Sequence, residues 1–415
     1  MLRATTMTAI AAALVAGHAT SQTVTPGSDV TNNQDQGGDV ISTQTLTVVE
    51  NDGLTSATGQ ATGNSLQGGN QGVDATLNTT QLVRGTIRAA NYIEGVNTGA
   101  EDLSLGTPVY SNSQAVGNYV ASTAVQGNLT VNGSQSATGD IVQTINDVHA
   151  PNNAIYVSGE GDSTSEVNHT AFEVTQGRLL SNYNQTSATD ARADVSATVH
   201  YSPSPNAYNA AATNNYYASY SGDRGSQEHN VTQDESGSTI ARSEVYGGNM
   251  WLMSSSANAV GNNVDLQNQG GSLVVDNKQT QTGALQAQSV VQLDQYGEAH
   301  AAASGIGNQM AAGDNDVYVR IDNDQLSSGG VDVIASFQGN DGYDADVTAD
   351  AVGNQALAYA CAECKADFGV NSSNQVNDSD VNATATAVVA KGRSIVSTAR
   401  ATGNSATYYV SGGTQ

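Results

Sequence analysis

The stretch ADAVGNQALAYACAEC, residues 349–364, contains a phrase that the chain repeats: a small residue, a spacer, a glycine and an asparagine. Six copies end at Gly63-Asn64, Gly117-Asn118, Gly261-Asn262, Gly307-Asn308, Gly353-Asn354 and Gly403-Asn404. Two degenerate copies are Ala150-Pro151-Asn152-Asn153 and Ala212-Thr213-Asn214-Asn215. From Asn215 onward the spacings are 47, 46, 46 and 50 residues, whereas the earlier ones are 54, 35 and 62. A period of this length is typical of repeat architectures.

A second landmark follows most copies of the phrase after 14 or 15 residues. It is an asparagine, usually with a glutamine close behind. The landmarks are Asn78 (Gln81), Asn132 (Gln135), Asn168, Asn230 (Gln233), Asn277 (Gln279) and Asn323 (Gln325), followed by Asn374-Gln375. Two correlated landmarks indicate a folded repeat rather than a disordered polar chain.

The segments between landmarks have the pattern of β-strands. Alanine and valine alternate with polar residues over 345–351 and 381–389, and a period of two is typical of half-buried strands. The last proline is Pro205, as expected for a long region in which nearly every backbone N–H joins a ladder. The inward residues are small, which predicts a thin core.

These patterns predict an all-β fold, a β-solenoid of roughly 46–50-residue repeats with an Ala/Val-rich core. In a solenoid equivalent corners align, where glycine permits the bend and asparagine and glutamine amides hydrogen-bond along the stack. A β-propeller and an amyloid-like stack are the alternatives. We expect an irregular repeat region over 22–205 and a regular one over 206–415, divided in the segment YSPSPN, residues 201–206.

Export is predicted by the first 21 residues. Arg3, an apolar run from Met7 to Ala16 and small residues after it resemble a removable signal peptide. The formal charge of -26 argues against nucleic acid as a partner and favours a cationic polymer or multivalent cations. Keeping an exported protein soluble is the simpler interpretation of the same charge.

Residues with recognisable chemistry are few. No catalytic motif occurs, and the six histidines lack ligand spacing, so we expect no enzyme activity, cofactor or metal site. Cys361 and Cys364 are predicted to form a disulfide across one bend. The acidic side chains of residues 313–324 and 339–346 are interpreted either as calcium ligands or as solvated residues of turns. The only tryptophan, in residues 249–255, and the tyrosine clusters either stack on sugars or fill strand positions.

The AVGN, IGN and ATGN corners, the export signal, the acidic Asn/Gln-rich strands and the length together resemble the holdfast anchor protein D family of stalked alphaproteobacteria. The phrases GNQALAY and GNSATYY are also similar in style to curlin repeats. The resemblance implies a structural adhesin associated with the outer membrane at the cell surface, which attaches an extracellular adhesive polysaccharide.

The same resemblance implies two protein partners, a curlin-like anchor subunit and an outer-membrane lipoprotein that exports or assembles the components. The negative charge favours a matrix that carries amino-sugar cations. The open strand edge at the last repeat allows self-association. A secreted solenoid enzyme that degrades polysaccharide is the alternative function, because such enzymes also present carboxylates on one sheet face.

Overall fold

A computed structural model of the chain describes residues 28–96, 103–106, 108–315, 318–360 and 367–410. Over these ranges the chain forms 21 strands and no helix. It therefore has, within the same ranges, no helix with the length and hydropathy of a membrane span. The predicted signal peptide, residues 1–21, lies outside the described residues.

The chain winds through eight coils, and each coil has three legs. The first legs are β1 (Ser28–Gln36), β4 (Ala75–Val83), β8 (Leu129–Ala137), β11 (Arg178–Ser187), β13 (Ser226–Glu235), β15 (Ser272–Gln281), β17 (Tyr318–Ser327) and β19 (Asp367–Asn377). They form one eight-stranded parallel sheet in this order. We number the coils 1 to 8 from the amino terminus, each starting with its first leg.

The second and third legs belong to a thirteen-stranded parallel sheet. Second legs alone are β2 (Val40–Val48), β5 (Ile87–Gly95), β9 (Ile141–Ala154) and β20 (Val381–Lys391), and β6 (Leu103–Ser104) pairs with β9. Third legs alone are β3 (Thr55–Gln71), β7 (Val109–Val125), β10 (Gly159–Thr175) and β21 (Ser394–Val410). Four long strands supply both legs: β12 (Asp190–Ser221), β14 (Thr239–Asn268), β16 (Leu285–Asp314) and β18 (Val331–Ala360).

Every strand pairs in parallel with the equivalent strand of the neighbouring coil, which confirms the predicted β-solenoid. Alternation of small apolar and polar residues produces this stack, because one side of each leg faces inward and the other faces solvent. At about 4.8 Å between paired strands, the first and last coils are about 34 Å apart. The predicted boundary at residue 205 falls inside β12 and stays a prediction.

Two hydrophobic cores run along the axis. The larger core lies between the second legs and the first half of the third legs, and alanine and valine dominate it. The smaller core lies between the second half of the third legs and the first legs. It holds bulkier side chains than the composition predicts, including Phe172, Tyr183 and Tyr217, whose rings meet at centroid distances of 5.8–5.9 Å.

Candidate functional site: amide columns and an axial groove

Asparagines of the repeated phrase stack in one column along the third legs. The Nδ2 group of each donates to Oδ1 of the asparagine in the next coil at 2.7–2.8 Å. The column comprises Asn64, Asn118, Asn168, Asn215, Asn262, Asn308, Asn354 and Asn404. Each of the first seven also donates to a backbone carbonyl of a first leg, as Asn262 does to Thr280 at 2.9 Å.

The glycine before each phrase asparagine lies where the third leg changes the core it faces. In β14, Ala257 and Ala259 point into the larger core, whereas Val264 and Leu266 point into the smaller one. The strand register skips Gly261 at this change of phase. With the backbone unchanged, a Cβ on Gly261 would lie 2.5 Å from the carbonyl oxygen of the next coil. Coils 3 and 4 have Val167 and Asn214 at this position, so glycine is preferred there but not required.

The same steric constraint applies to the other glycines of the column that have a coil beyond them. A Cβ on each would lie 2.5–2.6 Å from the carbonyl oxygen of the next coil. These glycines are Gly63, Gly117, Gly307 and Gly353. Gly403, in the last coil, is the exception, because its nearest neighbour would lie 3.6 Å from a Cβ.

Glutamines form a second column on the first legs, and its hydrogen bonds run in the opposite direction along the axis to those of the asparagine column. Each Nε2 donates to Oε1 of the glutamine in the preceding coil at 2.7–3.0 Å. The members are Gln34, Gln81, Gln135, Gln185, Gln233, Gln279, Gln325 and Gln375. Each also donates to a third-leg carbonyl, as Gln279 does to Gln309. The two amide columns thus join the first and third legs across the smaller core.

Two landmark assignments made from the sequence were wrong. The degenerate copy at Asn152-Asn153 is not equivalent to the others, because Asn118 donates to Asn168 instead. Glu166-Val167-Asn168 is the true copy, and it lacks the glycine that marks the phrase. With Asn168 in place the first spacings are 54, 50 and 47, close to the later ones.

The asparagines of the second landmark do not all lie at equivalent positions of the stack. Asn230 aligns with Asp276, whereas Asn277 aligns with Val231 and donates to Asn323. The glutamines form the continuous column instead. The predicted disulfide cysteines, Cys361 and Cys364, lie outside the described residues. No group of three or more His, Cys, Asp or Glu in the described ranges is arranged to hold a metal ion.

A groove of about 700 Å³ runs along the axis where the second legs bend into the third legs. Coils 3 to 8 contribute equivalent residues to it, which are Pro151, 198–200, 246–248, 292–294, 338–340 and 388–390. Its lining is mainly amide, hydroxyl and small apolar groups, and Asp294 is the one carboxylate among these residues. Asn340 donates to Asp294 at 3.1 Å, so the polar lining is partly ordered by contacts between coils.

An exposed aromatic column lies on the same bends. Trp251 is 60% exposed and Tyr343 is 52% exposed, and their rings meet edge to face at 6.4 Å. The residue between them in the stack is Gly297, and the Trp251 ring occupies the space that a side chain there would need. Arg393 lies over the Tyr343 ring at 5.6 Å. Trp251, Tyr343 and Arg393 are called the aromatic column below.

Ion pairs between neighbouring coils border the aromatic column. Arg393 binds Asp344 through two hydrogen bonds, and Lys391 lies 3.0 Å from Asp341. The hydrogen bonds from Arg393 lower the pKa of Asp344, and those to Asp344 raise the pKa of Arg393. Both pairs are exposed to solvent, so they position the side chains more than they stabilise the fold.

Buried titratable groups lie away from the groove. Burial lowers the pKa of His229 to about 3, so its ring is neutral and hydrogen-bonds Tyr217 and Gln227. Burial raises the pKa of Glu235 to about 8. His169 is only half-buried, packs between the rings of Tyr119 and Tyr216 on the outward face of the third legs, and contacts Glu166 at 2.9 Å. His229 and Glu235 are closed off from solvent, so they belong to the interior of the stack.

The sequence did not predict the groove or the aromatic column. The bends between second and third legs share no repeated phrase, and Trp251 was left between two interpretations. The available signal was a spacing: Trp251, Gly297 and Tyr343 are each 46 residues apart, which is the period of the regular coils. Applying that period to every exposed aromatic residue would have placed Trp251 and Tyr343 in one column.

Fold and site together define a β-solenoid with stacked amide columns and a solvent-facing axial groove. The family model of holdfast attachment protein D matches residues 49–330, which is more than half of the chain. The chain belongs to this holdfast attachment family. Neither the curated proteins nor the solved structures contain a match.

Proposed function

We propose that this protein attaches an extracellular adhesive polysaccharide to the outer membrane of the cell, and that the axial groove is where the polymer docks. The aromatic column beside the groove carries the proposal. Exposed tryptophan and tyrosine rings offer apolar faces for pyranose rings, while amide and carboxylate groups bind sugar hydroxyls. The groove also follows the solenoid axis over several coils, which matches an extended chain better than a small molecule.

The charge of the surface favours a polymer with amino-sugar cations. The chain carries 39 acidic residues against 13 basic ones, and Asp294 lies within the groove itself. Many weak contacts along one polymer add through multivalency, so strong retention does not need a deep pocket. The family supports a role in holdfast attachment, and the sugar chemistry is our proposal.

Binding is tested with the exported chain and two oligosaccharides of the same linkage, glucosamine oligomers and cello-oligosaccharides. Trp251 is the only tryptophan, so its fluorescence reports directly on the aromatic column beside the groove. We expect saturable binding that is tighter for the glucosamine oligomer. By calorimetry, Trp251→Ala and Tyr343→Ala should each weaken it about tenfold or more. Tyr110→Ala, which removes a partly exposed ring elsewhere, is the control.

Equal binding by all variants would contradict the assignment of the groove. The alternative function, a polysaccharide-degrading enzyme, predicts release of reducing ends from the same oligomers. Glycoside hydrolysis normally uses two carboxyl groups. Asp294 lines the groove, and Asp341 and Asp344 at the border of the aromatic column are both held in ion pairs. Turnover by the purified chain would overturn the non-enzymatic proposal.

Surface retention belongs to the same proposal. The family resemblance supports a curlin-like anchor subunit and an outer-membrane lipoprotein exporter as partners. Deleting the gene should leave the polymer secreted but shed from the cell. A polymer that stays attached to the deletion strain would contradict the anchoring role.

A further inference from the structure

The two ends of the solenoid carry complementary hydrogen-bonding groups. At the last coil Asn404 accepts from Asn354, and its own Nδ2 has no partner among the described residues. At the first coil Asn64 donates to Asn118, and its Oδ1 has no partner in the same ranges. A donor is therefore open at one end of the asparagine column, and an acceptor is open at the other.

The two ends of the glutamine column are also complementary, but here the acceptor is open at the last coil and the donor at the first coil. Gln375 donates to Gln325, which leaves its Oε1 open at the last coil. Gln34 accepts from Gln81 and donates one hydrogen to Ser65, which leaves its second N–H open at the first coil. Joining a last coil to a first coil satisfies both columns at once. When two like ends meet with each column opposite its own copy, neither column is satisfied, because donors face donors in one column and acceptors face acceptors in the other.

Gly403 provides independent steric evidence. In five of the seven coils that have a coil beyond them, a glycine at this position makes room for the carbonyl oxygen of that next coil. Around Gly403 that space is empty, since a Cβ would meet nothing closer than Asn377 Nδ2 at 3.6 Å. A further coil would place a carbonyl oxygen in this space, as it does in the coils that have glycine here, although coils 3 and 4 accept Val167 and Asn214 at the same position. The first and last coils also share the sequence ATGNS, at residues 61–65 and 401–405.

Hydrophobic side chains continue both cores to both ends. Val40, Leu46 and Val48 at the first coil and Val381 and Val389 at the last coil pack on the larger core but stay only partly buried. In the smaller core the corresponding partly buried residues are Val30, Leu66, Phe368 and Tyr408. A coil placed on either end would therefore bury apolar surface that one molecule leaves exposed.

The charges of the two end coils also favour pairing of a last coil with a first coil. Residues 28–71 of the first coil contain five carboxylates and no lysine or arginine. Residues 367–410 of the last coil contain three carboxylates together with Lys391, Arg393 and Arg400. Following paired positions from coil to coil brings Lys391 over Glu50. Two first coils would repel each other, whereas a last coil and a first coil would not.

We infer that copies of this chain stack end to end, the last coil of one molecule pairing in parallel with the first coil of the next. The asparagine and glutamine columns then run unbroken across the junction. Eight coils at about 4.8 Å give an axial repeat of about 38 Å for each molecule. The inference concerns the ends of the solenoid and is independent of the groove.

The test measures the mass of the exported chain against concentration by sedimentation, without saccharide. We expect a ladder of growing species in the wild type. Asn404→Asp keeps the acceptor for Asn354 but points an acceptor at the next molecule, so association should weaken about tenfold or more. Gly403→Ala narrows the space for the incoming carbonyl oxygen and should weaken association less than Asn404→Asp does, because coils 3 and 4 accept Val167 and Asn214 at this position. Asn382→Asp adds the same charge on the outward face of the last coil and is the matched control.

Carbodiimide cross-linking then tests the polarity of the junction. Glu50 and Lys391 lie at opposite ends of one molecule, about 34 Å apart, so a link between them arises between molecules. We expect this link in the wild type and its loss in Asn404→Asp. Dilute samples of each variant should melt like the wild type, which separates lost association from lost folding.

Three outcomes would overturn the inference: a wild type that stays monomeric as concentration rises, variants that associate as the wild type does, or links only between like ends. None of these outcomes affects the proposed function. Oligosaccharide binding by the Asn404→Asp chain tests the groove separately.

Discussion

Glu235 is the residue whose surroundings conflict most with its charge. Its side chain is buried beside Gly261, Oε1 accepts from Thr239 at 3.3 Å, and Oε2 has no hydrogen-bond partner among the described residues. Burial raises its pKa from 4.5 to about 8. Between these values the folded chain holds a proton that the unfolded chain has released. Stability from this group is therefore full below about pH 4.5 and is lost as the pH rises through 8.

Glu235→Gln should stabilise the protein at alkaline pH. The next coil already has Gln281 at the paired position, so the amide fits this environment. We expect the free energy of unfolding to rise by about 2 to 4 kcal/mol at about pH 8 and to change little at about pH 4. Urea denaturation of both proteins at the two pH values checks this. An equal effect at both values would show that Glu235 does not titrate as argued.

The sequence alone predicted part of the asparagine and glutamine columns. The repeated phrase located seven of the eight asparagines of the column, since in six coils a glycine precedes the asparagine, and in five of these a carbonyl of the next coil approaches the backbone there. Asn168 was placed in the wrong landmark because Val167 stands in the glycine position of that coil. The glutamines were noticed only as companions of asparagine, although they form the unbroken column.

At the scale of the strand, each amide column has a direction that backbone carbonyls impose. Gln279 Nε2 donates to Gln233 Oε1 and to the Gln309 carbonyl, and a carbonyl can only accept. The amino group of each glutamine must therefore face its third leg, which leaves the oxygen for the following coil. The alternation of apolar and polar residues in the sequence predicts which segments are strands. The hydrogen-bond direction of the column depends on which legs face each other, so it could not be predicted from the sequence.

Gln279→Glu tests the direction of the glutamine column. The substitution places carboxylate oxygens against two acceptors in a buried position, so we expect a loss of about 2 to 4 kcal/mol at neutral pH. Protonation restores a donor, so the loss should shrink as the pH falls toward 4. Denaturant titrations over this pH range provide the measurement, with Gln60→Glu on an exposed position as the control. A loss independent of pH would contradict the assigned direction.

For the whole molecule, stability is the sum of coils and of the contacts between neighbouring coils. Nearly all strand pairs join equivalent positions 46 to 54 residues apart, so removing one full period should leave every remaining pair intact. The sequence predicted this period well in the later coils. It could not predict the groove, because exposure of Trp251 depends on Gly297 in a different coil.

Deleting residues 263–308 tests this additivity. The deletion removes 46 residues and joins Asn262 to Gln309, so Asn262 can donate to Asn354 as it now does to Asn308. We expect a folded solenoid, one coil shorter, with a β-rich circular dichroism spectrum and cooperative unfolding. Deleting residues 263–285, half of that length, shifts every later leg onto the wrong neighbour and should give an unfolded, protease-sensitive chain. If both deletions fold equally well, or neither folds, the coils are not the independent stacking units that the amide columns imply.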